Sequence, residues 1–215
     1  MESLNCKICK ASINRLTTLK NFRIFYHCDT CGFISLDPSS FLTVDAEKAR
    51  YDLHENSLEN SEYLKLLRDF ITLTVKPYSV QTILDYGSGP NPVLAILLRE
   101  EKYDIDIYDP YYAPWDSTKD SQYDLIVSTE TFEHFQDPLK ELRFITSLLK
   151  PRGYVAIMTS FACNYEDFKT WRYKDDETHI AFYSITTFKK LAELFSLEII
   201  YSNDNNIIVL RNLTE

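Results

Sequence analysis

Cys6-Lys7-Ile8-Cys9 and Cys28-Asp29-Thr30-Cys31 are two C-x-x-C pairs with 18 residues between them. Each pair presents two thiols from one tight turn, and two such turns facing each other supply a tetrahedral set for zinc. Gly32 follows the last cysteine, where the chain must turn away from a metal. The competing reading is four unligated thiols or redox pairs. The matched spacing favours the metal, with Cys6, Cys9, Cys28 and Cys31 as ligands. Four thiolates leave no open position, so this zinc would fold the segment and not catalyse. His27 adjoins Cys28, but in a strand over 22–27 its side chain alternates away. Cys163 stands alone and reads as a small buried residue.

The second chemical message lies in Thr82-Ile83-Leu84-Asp85-Tyr86-Gly87-Ser88-Gly89-Pro90-Asn91-Pro92. An apolar strand ends in an acid, a glycine turn follows, and Val93 to Arg99 then forms an apolar helix. Asn91 suits the N-cap and Pro92 the first helical position. The chain has four glycines in 215 residues, well under the usual share of about 7%. It should therefore keep them where backbone geometry demands them. Gly87 and Gly89 let backbone approach a ligand at the crevice where α/β sheets bind nucleotides. The strand over 103–108 ends at Asp109-Pro110, about 22 residues past Gly87. A carboxylate there can accept both ribose hydroxyls of an adenosine ligand.

These residues need elements to hold them. Asp37-Pro38-Ser39-Ser40 marks a turn, and 45–53 reads as a helix. A second helix starts near Asn60-Ser61 and runs to Val75, stopped by Pro77, with Leu64, Leu67, Ile71 and Val75 as its apolar stripe. Tyr123 to Ser128 is a buried strand. Asp137 caps a helix that Pro138 opens, and Leu142, Ile145 and Leu149 face inward. Lys150 to Gly153 turns into a strand over 154–159. A long polar, ring-rich insertion follows, then a helix over 186–195. Leu197 to Tyr201 and Ile207 to Leu210 make an antiparallel hairpin around Asn203-Asp204-Asn205. Divided by composition, 1–37 is a zinc-binding module, 38–78 connecting helices or a lid, and 79–215 the ligand-binding domain.

From about Gln81 onward the chain resembles a class I S-adenosylmethionine-dependent methyltransferase. The resemblance rests on Leu84 to Gly89, Asp109, Tyr123 to Val127, Glu133-His134-Phe135-Gln136-Asp137-Pro138, Leu149 to Gly153 and the closing hairpin. The cysteine pairs and Arg50-Tyr51-Asp52-Leu53-His54-Glu55-Asn56 resemble the zinc-bearing front of uncharacterised bacterial members. The fold this implies is α/β and Rossmann-like, a mostly parallel sheet with an antiparallel C-terminal hairpin. The cofactor implied is S-adenosylmethionine. Asp85, Gly87, Ser88 and Gly89 would line its methionine end. Asp109 and Pro110 would hold the ribose, and Glu130, Thr131 and Phe132 would border the pocket. The usual third glycine is Asn91 here, a residue that tolerates left-handed backbone. Only 13 residues separate Asp109 from Tyr123, so the third strand and its helix should be shortened or missing. Tyr111, Tyr112, Trp115 and Asp116 would then improvise the adenine pocket.

Methyl transfer needs alignment in a dry cleft, and an oxygen or nitrogen nucleophile can also need a base. His179, in the insertion, is the first candidate, with loop anchoring as the alternative; His134 is the second, with a structural role as its alternative. Tyr51, His54, Trp171 and Tyr183 are candidate substrate or lid residues. The expected reaction is methyl transfer to a small-molecule acceptor. Alternatives are an RNA methyltransferase gripping nucleic acid through the zinc module, and a non-catalytic S-adenosylmethionine-binding module. A net charge of −9 argues against nucleic acid as partner. With no apolar run long enough to span a bilayer and no basic n-region before Cys6, the cytoplasm is the expected location.

Overall fold

The computed structural model describes residues 5–17, 23–53, 56–115, 121–162 and 165–214. Its first three strands are β1 (Asn14–Thr17), β2 (Ile24–His27) and β3 (Ile34–Leu36). Two helices follow, α1 (Val44–Tyr51) and α2 (Ser61–Thr74). Asn60 caps α2 through its side chain, as its residue type predicts.

A six-stranded sheet then begins with β4 (Thr82–Tyr86), α3 (Val93–Glu100), β5 (Asp104–Tyr108), β6 (Tyr123–Thr129), α4 (Pro138–Ser147) and β7 (Leu149–Met158). The insertion holds α5 (Tyr165–Thr170) and a short strand β8 (Ala181–Phe182). The chain closes with α6 (Ile185–Leu194), β9 (Leu197–Ser202) and β10 (Ile207–Asn212). The sheet order is β5-β4-β6-β7-β10-β9. Strands β5, β4, β6 and β7 run parallel, and β10 and β9 close the sheet antiparallel. The expected Rossmann-like architecture is borne out. Among the described residues no strand flanks β5, so the sheet lacks a third strand in that place. No helix is long and apolar enough to cross a membrane among them.

Alternation along the strands explains the layers. Ile83, Leu125, Val127 and Val209 face one side, where Leu67, Phe70 and Ile71 of α2 and Leu94 and Leu98 of α3 cover them. Leu84, Ile126, Ile208 and Leu210 face the other, against Leu142 and Ile145 of α4 and Phe188 and Leu191 of α6. Central strands buried on both faces read as continuous apolar runs for this reason.

Three details differ from the sequence reading. Helix α3 begins at Val93, and Pro92, not Asn91, is its cap, without a side-chain bond. Strand β7 begins at Leu149 and carries Lys150 to Gly153 within it, with a register shift against β6. The third concerns the front segment: β1, β2 and β3 form a sheet whose fourth strand is β8, from the insertion. Cys6, Cys28, Cys31 and Phe33 lie in the same buried cluster as Tyr183 and Phe188. The front sheet and the insertion are thus one packed unit.

Candidate functional site

The carboxyl ends of β4, β5 and β6 open into a cleft of about 760 Å³, within the usual range for small-molecule sites. Strand β4 delivers Asp85 to its floor, and the chain then turns at Gly87 (φ +85°) and Gly89 (φ +66°). Both angles are left-handed and favour glycine. A Cβ on Gly87 would also stand 2.3 Å from Thr131 Cγ2, so this turn and Thr131 fit only without a side chain. The N–H groups of Gly87 and Ser88 donate to the Tyr108 carbonyl at 2.8 and 3.0 Å, folding the loop over the end of β5. Asp109 follows directly. Its Oδ2 accepts from Gly89 N at 3.0 Å and its Oδ1 from Tyr111 N and Tyr112 N at 2.8 and 3.1 Å. Each carboxylate oxygen has two acceptor directions; those of Oδ1 are filled and one of Oδ2 is open, so Asp109 can shape the loop and still receive one hydroxyl.

Two features of this end are energetically unfinished. Asp85 is buried; burial, reinforced by Asp109 and opposed by Arg99, pushes its carboxyl up to about 7. Ser88 Oγ is the only buried side-chain oxygen or nitrogen without a hydrogen-bond partner among the described residues. It lines the cleft. A buried orphan hydroxyl costs free energy until a ligand group pairs with it. Pro110, Thr131 and Glu130 line the same cavity, and Glu130 holds a left-handed φ of +50°, the kind of local strain that clusters at functional sites.

Helix α1 lies over this cavity. Tyr111 Oη donates to Glu47 Oε2 at 2.6 Å and Tyr112 Oη to Asp52 Oδ1 at 2.6 Å, while Tyr51 Oη donates to Glu47 Oε1 at 3.0 Å. Tyr51, Tyr111 and Tyr112 all line the cleft, so the roof consists of rings latched to acids. His54 and Asp116 lie outside the described residues. Trp115 packs against Tyr108 and Phe144, away from the cavity lining.

At the far end His134 and His179 stand with ring centroids 5.0 Å apart, and both line the cleft. His134 Nδ1 lies 2.9 Å from the Thr178 carbonyl and His179 Nδ1 2.6 Å from the Tyr173 carbonyl. A carbonyl only accepts, so each ring carries its proton on Nδ1 and keeps Nε2 open. Burial, then the neighbouring His134, lowers His179 to about 4; burial also lowers His134. Both rings are uncharged at neutral pH. Tyr173 Oη donates to Glu133 Oε1 at 2.5 Å and lies 3.0 Å from Glu130 Oε2, linking the two carboxyls.

The segment carrying His179 is held by the front sheet. Arg23 donates to the carbonyls of Lys174, Asp176, Glu177 and His179 at 2.8 to 3.2 Å. Arg50 of α1 pairs with Asp176 at 3.0 Å. Trp171 packs against Phe168, Tyr173 and Phe182, outside the cavity lining. Tyr183 is fully buried, with its hydroxyl on the Phe132 carbonyl at 2.9 Å. Both are corrections to the expected lid. A ring-rich insertion next to a cleft also has to build its own core, and ring type does not say which ring does which. Tyr63, Glu47 and Asp176, missed in the sequence, do line the cleft. Tyr63 was detectable as a hydroxyl-bearing ring four residues before Leu67, on the buried face of α2.

The cysteines gather as their spacing predicts. All four sulfurs lie within 4.8 Å of one another. Cys6 Sγ is 3.6 Å from Cys31 Sγ, and Cys9 Sγ 3.4 Å from Cys28 Sγ. Tetrahedral zinc with Zn–S near 2.3 Å needs sulfurs about 3.8 Å apart, so the set fits with small adjustment. The two turns are copies of each other. Lys10 N donates to Cys6 O and Gly32 N to Cys28 O, at 3.1 and 2.8 Å, and Lys10 and Gly32 both have left-handed φ. His27 turns to Asp29 instead, at 2.9 Å.

A glycine loop after the first sheet strand, an acid ending the second and an antiparallel closing hairpin are the features that resemble S-adenosylmethionine-dependent methyltransferases. A family model described as a methyltransferase domain matches residues 47–202, and the chain belongs to that family. No curated protein matches in sequence. The fold is similar to that of an O-methyltransferase family protein from Burkholderia thailandensis, with TM-score 0.54 and 10% identity over 79% of this chain and 60% of that one. It is also similar to N-methyltransferase NodS from Bradyrhizobium japonicum WM9 in complex with S-adenosyl-L-homocysteine, with TM-score 0.51 and 14% identity over 78% and 97%. The plantazolicin methyltransferase BpumL in complex with S-adenosylhomocysteine gives TM-score 0.51 and 14% identity over 82% and 91%. The chain spans 60% of the length of the Burkholderia protein and 58% of the mitomycin 7-O-methyltransferase MmcR.

Proposed function

We propose that the protein transfers a methyl group from S-adenosylmethionine to a small-molecule oxygen or nitrogen nucleophile. When bound, S-adenosylmethionine supplies a methyl group already activated on a sulfonium. The remaining work falls to the chain. In this reading Asp85, Gly87, Ser88, Gly89, Glu130 and Thr131 hold the methionine end, Asp109 and Pro110 the ribose, and Tyr111 and Tyr112 the adenine. The observation that carries it is the unpaired Ser88 hydroxyl in a glycine turn that is itself tied to Asp109. That turn suits a polar ligand, and the open acceptor direction of Asp109 Oδ2 beside it suits a ribose hydroxyl.

In this reading His179 and His134 serve the acceptor, and Tyr51 packs edge-on against His134. In the same reading the four cysteines hold a structural zinc. It stiffens the front sheet, which holds the His179 segment through Arg23 and β8. Residues 1–37, 38–78 and 79–215 then mark functional parts: metal anchor, cover and cofactor sheet. Calorimetry with S-adenosylhomocysteine tests the binding. A single site per chain, weakened by Asp109→Ala, supports the reading, and no binding rejects it.

A further inference from the structure

We propose that Glu133, His134 and His179 form a second metal site, taking one divalent transition ion at the acceptor end of the cleft. One ligand atom from each of the three residues lies within 4.8 Å of the others. Two imidazoles and a carboxylate are a ligand set that suits manganese, iron or zinc, and three protein ligands leave coordination positions for substrate.

The rings are prepared for this task. Each Nδ1 is fixed on a main-chain carbonyl, Thr178 for His134 and Tyr173 for His179. That bond sets the tautomer and aims Nε2, as the outer-shell partners of metal-bound histidines do. Both rings line the cleft, so positions the protein leaves unfilled open to it.

Glu133 supplies the charge. It is fully buried, with Thr159 Oγ1 donating to Oε2 at 2.8 Å and Tyr173 Oη to Oε1 at 2.5 Å. Among the described residues no lysine or arginine forms an ion pair with it. A buried carboxyl with neutral donors alone is costly when ionised, and a bound cation removes that cost. Glu130, whose Oε2 lies 3.0 Å from the same Tyr173 hydroxyl, adds a second carboxyl beside the set. The two metal centres differ in kind. The thiolates form a closed soft site, whereas this one is harder and open. Its purpose rests on the methyl-transfer reading, since the ion would draw and orient the acceptor's oxygen.

The test is a titration of the full chain, with zinc filling its cysteines, by manganese(II) followed by electron paramagnetic resonance. Wild type should bind one manganese per chain and reduce the free-ion signal accordingly. His134→Asn and His179→Asn should each weaken binding by about tenfold or more, with zinc content and circular dichroism unchanged. No manganese binding by the wild type, or equal binding by folded variants, overturns the site. S-adenosylhomocysteine calorimetry on the same samples separates the two ideas. Binding of S-adenosylhomocysteine without manganese rejects the metal site alone, and manganese binding without it rejects the methyl-transfer reading alone.

Discussion

Gly89 donates its backbone N–H to Asp109 Oδ2 at 3.0 Å, so the acid that ends β5 and the glycine turn that ends β4 are one structure. Asp109 thereby does two jobs, shaping the turn and presenting a carboxylate to the cleft. Asp109→Ala should weaken S-adenosylhomocysteine binding by about 1–3 kcal/mol, the range for losing charge-assisted hydrogen bonds. It should also lower thermal stability, because three backbone N–H groups lose their acceptor. Unchanged affinity in calorimetry would place the ribose elsewhere.

Asp85 gives a pH signature. Its folded-state value of about 7 is raised above the ordinary carboxylate range, so the folded chain holds a proton that the unfolded chain has released. Its ionisation therefore costs stability as pH rises from about 4 to 7, and that slope should be missing in Asp85→Asn. A cationic ligand next to Asp85 would pull the carboxyl back down. Binding of S-adenosylmethionine at pH 7 should then release about half a proton. Calorimetry in buffers of different ionisation enthalpy measures it, and equal enthalpies in every buffer would remove Asp85 from the ligand's surroundings.

Zinc should be present at one per chain in protein prepared under reducing conditions. Thr187 Oγ1 donates to the Cys31 carbonyl at 2.8 Å, and β3 pairs with β8. Chelation should therefore speed amide exchange in 180–187 as well as in 5–36, before the central sheet opens. Metal analysis showing no zinc would sink the assignment, and exchange confined to the front segment would sink the coupling.

Arg23 should act as a positioning residue. Arg23→Ala removes four donations to the 174–179 backbone. Acceptor KM should rise and kcat fall, while S-adenosylhomocysteine affinity stays within about twofold, since nothing at the glycine turn changes. Equal loss of both affinities would point to general unfolding.

The sequence was legible where the backbone makes local demands. Gly87, Gly89 and Asp109 announce the cofactor end, and the cysteine spacing announces the sulfur cluster, because each reflects a turn within a few residues. The short gap before Tyr123 likewise foretells a sheet with no strand beyond β5 among the described residues. What stayed hidden depends on distant partners. Strand β8 has two residues and no periodicity, and only β3, some 145 positions earlier, makes it a strand. Arg23 reads as a surface charge until the insertion folds onto it. Tyr183 became core and Trp171 packed half-buried against Phe168 and Phe182, while Tyr63 reached the cleft, since ring chemistry suits both places.

The most direct test is transfer of a deuterated methyl group from labelled S-adenosylmethionine, with the protein saturated and supplied with fractionated cell extract. Label should appear in a small-molecule fraction together with equimolar S-adenosylhomocysteine, and Asp109→Ala should abolish or sharply slow it. Label recovered in RNA instead would contradict the proposed acceptor. A saturated protein that leaves S-adenosylmethionine intact with every fraction would contradict methyl transfer itself.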